Sequence, residues 1–86
     1  MERRHDDILT ARLEDALLNG CSHISYPELY LWYDVKKIAA GTWRDLTKRW
    51  EELSKNRSGQ LMTVEGRNGI FIFAQKKVWA VNPDRE

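Results

Sequence analysis

A chain of 86 residues and 10.2 kDa has room for one small domain. Lys+Arg 14 against Asp+Glu 13 leaves a net charge of +1, which excludes a polycationic tail and an acidic solvating segment but leaves room for a locally basic face. No apolar run approaches the roughly 20 residues that span a bilayer, the stretch behind Arg3 and Arg4 is not the apolar block of a secretory signal, and the single Cys21 excludes an internal disulfide. A cytoplasmic protein with a reduced thiol and no membrane association is expected.

Four tryptophans in 86 residues matter for a domain this small, because large aromatics bury much area per residue. They are read first as core. Punctuation then divides the chain into four blocks, which together make one domain over residues 1–86 with an ordered part over about 6–81. In the first block Asp6 or Asp7 supplies a helix cap, and Ile8, Leu9, Leu13, Ala16 and Leu17 recur at helical spacing up to the stop signal Asn19-Gly20. In the second, Cys21 to Ile24 reads as a short strand. Ser25 and Glu28 then form a capping box with Pro27 in the first turn of a helix. Leu31, Val35, Ile38 and Ala39 line one face of that helix, which runs over residues 27–40 and ends at Ala40-Gly41. Tyr30, Trp32 and Tyr33 make it apolar nearly all round, which points either to a break or to burial on two sides.

The third block, residues 42–55, opens on Thr42 with Asp45 as a second capping pair. Trp43, Leu46, Trp50 and Leu53 fall on one helical face, while Arg44, Lys48, Glu52 and Lys55 fall on another with Arg49 beside them. The fourth block changes period. Leu61 to Glu65 and Ile70 to Ala74 are β-rich, and between them Gly66-Arg67-Asn68-Gly69 carries the Asn-Gly hairpin signal. Gln75 to Lys77 turns the chain into a further β-rich run, Val78 to Val81. Asn82-Pro83 ends regular structure, and Asp84-Arg85-Glu86 reads as a frayed tail. The expected fold class is α+β: three helices plus a C-terminal β-hairpin or small antiparallel sheet.

This order of elements resembles the winged helix-turn-helix superfamily over residues 6–81. The resemblance implies a positioning helix over residues 27–40, a recognition helix over 42–55, and a wing over 61–74 with its tip at Arg67-Asn68. If Gly41 is the turn glycine, Lys37 stands where such proteins usually carry a small Ala, and Thr47 where a larger apolar residue is usual.

Charge is unevenly placed along the chain. Residues 1–20 hold three basic and five acidic side chains; residues 36–77 hold ten basic and four acidic, a net +6 over the part that carries the third helix and the hairpin. Attraction to phosphate is the sequence-independent part of nucleic-acid affinity. The plain alternative is a solvated surface with scattered Lys and Arg. If the third helix enters a major groove, its N-terminal half reads the bases, and Thr42, Arg44, Asp45, Lys48 and Arg49 are the polar side chains there. Arg44 or Lys48 donates to guanine O6 and N7; Thr42 and Thr47 meet phosphate or a thymine methyl; Asp45 accepts from cytosine N4 or only caps the helix. Glu51 and Glu52 oppose phosphate if they face it. The expected DNA contacts are therefore Thr42, Arg44, Lys48, Arg49 and Lys55, joined by Arg67 at the wing tip. Lys76 and Lys77 read either as phosphate contacts at the base of the sheet or, more plainly, as an exposed turn.

Cys21, His23 and His5 are the soft metal ligands, and Cys-x-His with no second pair is not a zinc spacing. No metal, no other cofactor and no small-molecule substrate is expected. Cys21 with His23 lacks an oxyanion donor and a third group, so no enzymatic activity is expected. Tyr30, Trp32, Tyr33 and Trp79 lie outside the stripes. They read either as a stacking platform, which needs a shared sheet face, or as core plus a homodimer or protein-partner surface. Two functions compete: a small transcription regulator that binds double-stranded DNA, and a protein-interaction module, adaptor or inhibitor, on the same fold.

Overall fold

The structure, a computed structural model, describes residues 1–84. Its elements are α1 (Arg3–Asn19), β1 (Cys21–Ser25), α2 (Tyr26–Tyr33), α3 (Ala40–Ser54), β2 (Leu61–Glu65) and β3 (Gly69–Ala74), followed by a 3-10 turn over Gln75–Lys77. The three strands form one antiparallel sheet in the order β1-β3-β2. The fold is thus α+β, with three helices and a three-stranded sheet. No helix among the described residues is long and apolar enough to cross a membrane.

α1 buries His5, Leu9, Leu13 and Ala16, one stripe at helical spacing, and packs on β1, β3 and α3. It starts before the expected Asp6 or Asp7 cap. Glu2 is the N-cap and makes no side-chain cap bond, while Asp6 lies in the first turn. Ile8, expected on the buried face, is exposed. At the other end Gly20 takes the left-handed conformation (φ 92°) and donates its N–H to Ala16 O, so the chain reverses into β1 as the Asn-Gly signal requires.

The Ser25–Glu28 capping box forms. Ser25 Oγ accepts from Glu28 N, and the Glu28 carboxylate accepts from Ser25 N. Arg12 of α1 grips the same carboxylate with two bonds, 3.1 and 2.8 Å, and also donates to His23 O at 2.8 Å. Its guanidinium stands 5.8 Å from the centre of the Trp32 ring. Burial alone would raise the Glu28 pKa, but the Arg12 and Ser25 hydrogen bonds outweigh it and hold the carboxyl below its ordinary value.

α2 is shorter than expected: it stops at Tyr33 instead of continuing to Ala40. Asp34 adopts the left-handed conformation (φ 50°), its N–H reaches Leu31 O, and Val35 N reaches Tyr30 O. This is a Schellman closure with Asp where Gly is usual. The expected face of Leu31, Val35, Ile38 and Ala39 therefore does not exist. Leu29 and Trp32 are the buried residues of α2, Leu31 is 62% exposed, and Ile38 packs on the core from the linker over residues 34–39. Gly41 lies inside α3, so it is not a turn glycine.

α3 begins at Ala40 with Ala39 as an uncapped N-cap, not with a Thr42–Asp45 pair. The reason is the stripe: Thr42, Leu46, Trp50 and Ser54, four residues apart, are all buried, with Trp43 and Leu53 half-buried beside them. Burying Thr42 extends the helix back by two residues, about half a turn. Trp50 is fully buried, and its indole N–H donates to Gly59 O at 3.0 Å, which anchors the loop leading to β2.

The core joins Leu9, Leu13, Ile24, Leu29, Trp32, Leu46 and Trp50 to the inward residues of β3, Ile70, Ile72 and Ala74. The hairpin strands form where expected, but not through an Asn-Gly turn with positive φ. Among the described residues positive φ occurs only at Gly20, Asp34, Lys55, Asn56 and Gly59. Gly69 is needed for a different reason: a Cβ there would stand 2.3 Å from Ile24 O and 2.7 Å from Ser25 Cα, where β1 and β3 approach closely. The hairpin tip is tied to α2 by Tyr26, whose N–H donates to Asn68 O and whose hydroxyl donates to Gly66 O, both at 3.0 Å. The run Val78 to Val81 forms no strand; it follows the 3-10 turn without regular structure. The expected fraying at Arg85 and Glu86 lies outside the described residues.

Two substitutions test this packing. Gly69→Ala forces β1 and β3 apart and should cost about 1–3 kcal/mol in urea unfolding. Among the described residues Ser54 Oγ is buried with no hydrogen-bond partner, so Ser54→Ala should stabilise the fold, by up to about 1 kcal/mol. A loss of stability in the second variant would contradict the burial of an unpaired hydroxyl.

Candidate nucleic-acid interface

The roll of α3 about its axis decides which side chains face solvent. At 3.6 residues per turn, Lys48 points roughly 160° and Arg44 roughly 120° away from Trp50, and Lys55 follows the last helical residue as a C-cap in the left-handed conformation (φ 54°). All three are exposed, and none has an ion-pair partner among the described residues. Arg67 is exposed at the hairpin tip and likewise has no ion pair among the described residues. Glu51 and Glu52 are exposed on the two flanks of the α3 strip in its C-terminal half.

The other expected contacts are placed differently. Thr42 is only 5% exposed and belongs to the core stripe. Thr47 is exposed, and its hydroxyl donates back to Trp43 O. Arg49 is half-buried at the seam between α3 and α1. Its Nη1 pairs with Asp6, and its Nε donates to Asp45 Oδ2 at 2.7 Å. The Tyr33 hydroxyl donates to the same Asp45 oxygen at 2.7 Å, so one carboxylate joins α2 to α3. Asp45 is therefore not the helix cap; its Oδ2 serves the joint between α2 and α3.

These contacts explain the local electrostatics. Burial pushes the Asp45 carboxyl up, but the bonds from Tyr33 and Arg49 outweigh it and hold it below its ordinary value. Burial and the bond to the Asp45 carboxylate raise the Tyr33 phenol. For Arg49 burial works against the charge, and the two aspartates more than restore it. A cleft of about 730 Å³ opens beside this network, between the start of α1 and the end of α2. Its polar wall of Tyr33, Asp45 and Arg49 is already hydrogen-bonded within the protein.

The expected aromatic partner surface is dispersed. Trp32 is buried at 4% exposure, Tyr33 is engaged with Asp45, Tyr30 is 37% exposed and stacks on Tyr26, and Trp79 is 63% exposed beyond the sheet. The residues that sequence reasoning passed over are Phe71 and Phe73 with His23. Cross-strand register sets all three on the sheet face away from the core. Gly69–Ala74 is a continuous apolar run in which Ile and Phe alternate but polarity does not, so the sequence alone did not mark which pair faces out. No group of three or more metal-ligating side chains occurs among the described residues.

The Arg49 network predicts an acid dependence. Asp45 and Glu28 bind protons less readily folded than unfolded, so their contribution to stability is complete above their ordinary values of 3.8 and 4.5 and is lost as pH falls below them. Asp45→Asn should flatten part of that loss in urea titrations run at successive pH values. Arg49→Ala should cost about 1–2 kcal/mol of stability at neutral pH while leaving the exposed cations of α3 untouched. Compared with known proteins, the chain matches no family model, no curated sequence and no solved structure.

Proposed function

We propose that the protein is a non-catalytic double-stranded DNA binder, a small transcription regulator that docks α3 in the major groove and lays the β2–β3 hairpin against the backbone as a wing. The observation that carries this reading is the unpaired cationic strip of Arg44, Lys48 and Lys55, opposite the buried Trp50. Arg44 lies in the N-terminal half of α3, where a recognition helix meets base edges, and its fork suits guanine O6 and N7. Lys48 and Lys55 suit phosphate, and Arg67 suits the backbone or minor groove beside the wing. The start of α3 adds support. It has no side-chain cap, Thr42 and Trp43 donate to Ala39 O, and the exposed Ala40 and Gly41 are left to offer backbone N–H groups to a phosphate. Thr42 and Arg49 have no part in this docking.

A second reading, a protein-binding module, draws on Glu51 and Glu52 beside the cationic strip and on exposed Leu31 and Tyr30 of α2. Anisotropy of a labelled duplex at about 50 and about 200 mM salt separates the two. Under the DNA reading, Lys48→Ala weakens binding to every duplex and lowers the salt slope by about 1. Arg44→Ala costs about 1–3 kcal/mol on the preferred site and relaxes its sequence preference. Duplex affinity unchanged in both variants would overturn the docking.

A further inference from the structure

The sheet face turned away from the helices has no role in the reading above. Directly paired residues of antiparallel strands project to the same side. The register therefore sets Cys21, Phe73 and Met62 in one row and His23, Phe71 and Val64 in the next. Ile24, Ile70, Ile72 and Ala74 fill the opposite side and are buried, so these two rows face outward. Phe71 is 43% exposed, Cys21, His23, Met62 and Val64 are exposed, and Phe73 is half-buried. Phe71 and Phe73 are successive outward residues of the central strand, roughly 7 Å apart along it. The His23 ring packs on Phe71 with centroids 4.7 Å apart.

Charge around this face is one-sided. None of the outward residues of the three strands is acidic. Arg67 stands at one end of the face. At the other end Lys77 follows β3, with its Cδ beside Gly20, the residue before β1. Neither cation has an ion pair among the described residues.

We infer that this face binds single-stranded nucleic acid, with bases stacked on Phe71 and Phe73 and the phosphate chain held by Arg67 and Lys77. Aromatic rings on a sheet offer π-faces, and only unstacked bases have π-faces free to meet them; a duplex has used its own in stacking. A second copy stacked face to face would bring cationic ends against cationic ends. An apolar protein surface would use Met62 and Val64 but would leave the charge at both ends unmatched. A polyanion that carries aromatic bases matches both features.

The test is anisotropy of labelled oligo(dT) and oligo(U) of about 12 nucleotides, with the labelled duplex measured in parallel. Binding of either strand is expected, and the tighter one identifies the preferred sugar. Phe71→Leu keeps an apolar strand residue but removes the π-face, and should weaken single-strand binding at least about fivefold with duplex affinity unchanged. Phe71→Tyr should retain binding, which a merely structural role for Phe71 would not separate from the Leu variant. The double variant Arg67→Ala/Lys77→Ala should weaken single-strand binding and flatten its salt dependence. Lys48→Ala should leave it at the parental value, so failure here and failure of the duplex reading are distinguishable. The inference is overturned if the parent binds neither strand, if Phe71→Leu binds as the parent does, or if sedimentation shows a dimer that Phe71→Leu dissociates.

Discussion

The burial of Trp50 sets the orientation of everything that α3 presents. A tryptophan with no exposed surface, its indole N–H satisfied by Gly59 O, holds the helix at one rotation about its axis. Turning α3 by even one residue's worth of angle would expose that ring or strand its N–H in an apolar interior, either of which costs several kcal/mol. With the rotation fixed, Arg44 and Lys48 point outward by necessity, Thr42 is drawn under the helix, and Arg49, the residue before Trp50, falls on the seam with α1. The difference between an open cation and a neutralised one along this helix is therefore decided by packing and not by the cations themselves.

The same constraint revises the electrostatic picture. The net +6 of residues 36–77 overstates the charge available to a partner. Arg49 is balanced by Asp6 and Asp45, and the Lys76 ammonium donates to Arg57 O at 3.0 Å. Half-buried pairs of this kind contribute more to the alignment of helices than to net stability, because desolvation offsets much of their attraction. What remains open among the described residues is smaller: Lys36 and Lys37 in the linker, Arg44, Lys48 and Lys55 along and just after α3, Arg57, Arg67 at the hairpin tip, and Lys77 after β3.

Features set by local chemistry were legible in the sequence. The Gly20 stop, the Ser25–Glu28 capping box, the short β1 and the two hairpin strands each depend on residues within a few positions of one another. The all-round apolarity of Tyr30, Trp32 and Tyr33 points to a break or to burial on two sides, but the place where α2 ends was not legible, because an Asp, not a Gly, closes it in the left-handed conformation. The exposure of Arg44, Lys48 and Lys55 followed from periodicity. The loss of Arg49 did not, since its partner Asp6 lies 43 residues away. The Asn68-Gly69 pair marked a hairpin correctly but for the wrong reason, since the glycine serves the close approach of β1 and not the turn. Trp32 reads in the sequence as core or partner surface alike, because its apolar neighbours hide the face on which α2 is buried.

The two bonds from Tyr26 make the hairpin less of a free arm than its length suggests. One residue at the start of α2 holds two carbonyls of the tip, and Glu28, one half-turn further on, is clamped by Arg12 of α1. Tip, capping box and first helix therefore form a linkage of rigid parts joined at hydrogen-bonded pins. A load applied at Arg67 is carried through Tyr26 into α2 and, by the Arg12–Glu28 side-chain pair, onward into α1, so the hairpin and the first two helices are mechanically coupled.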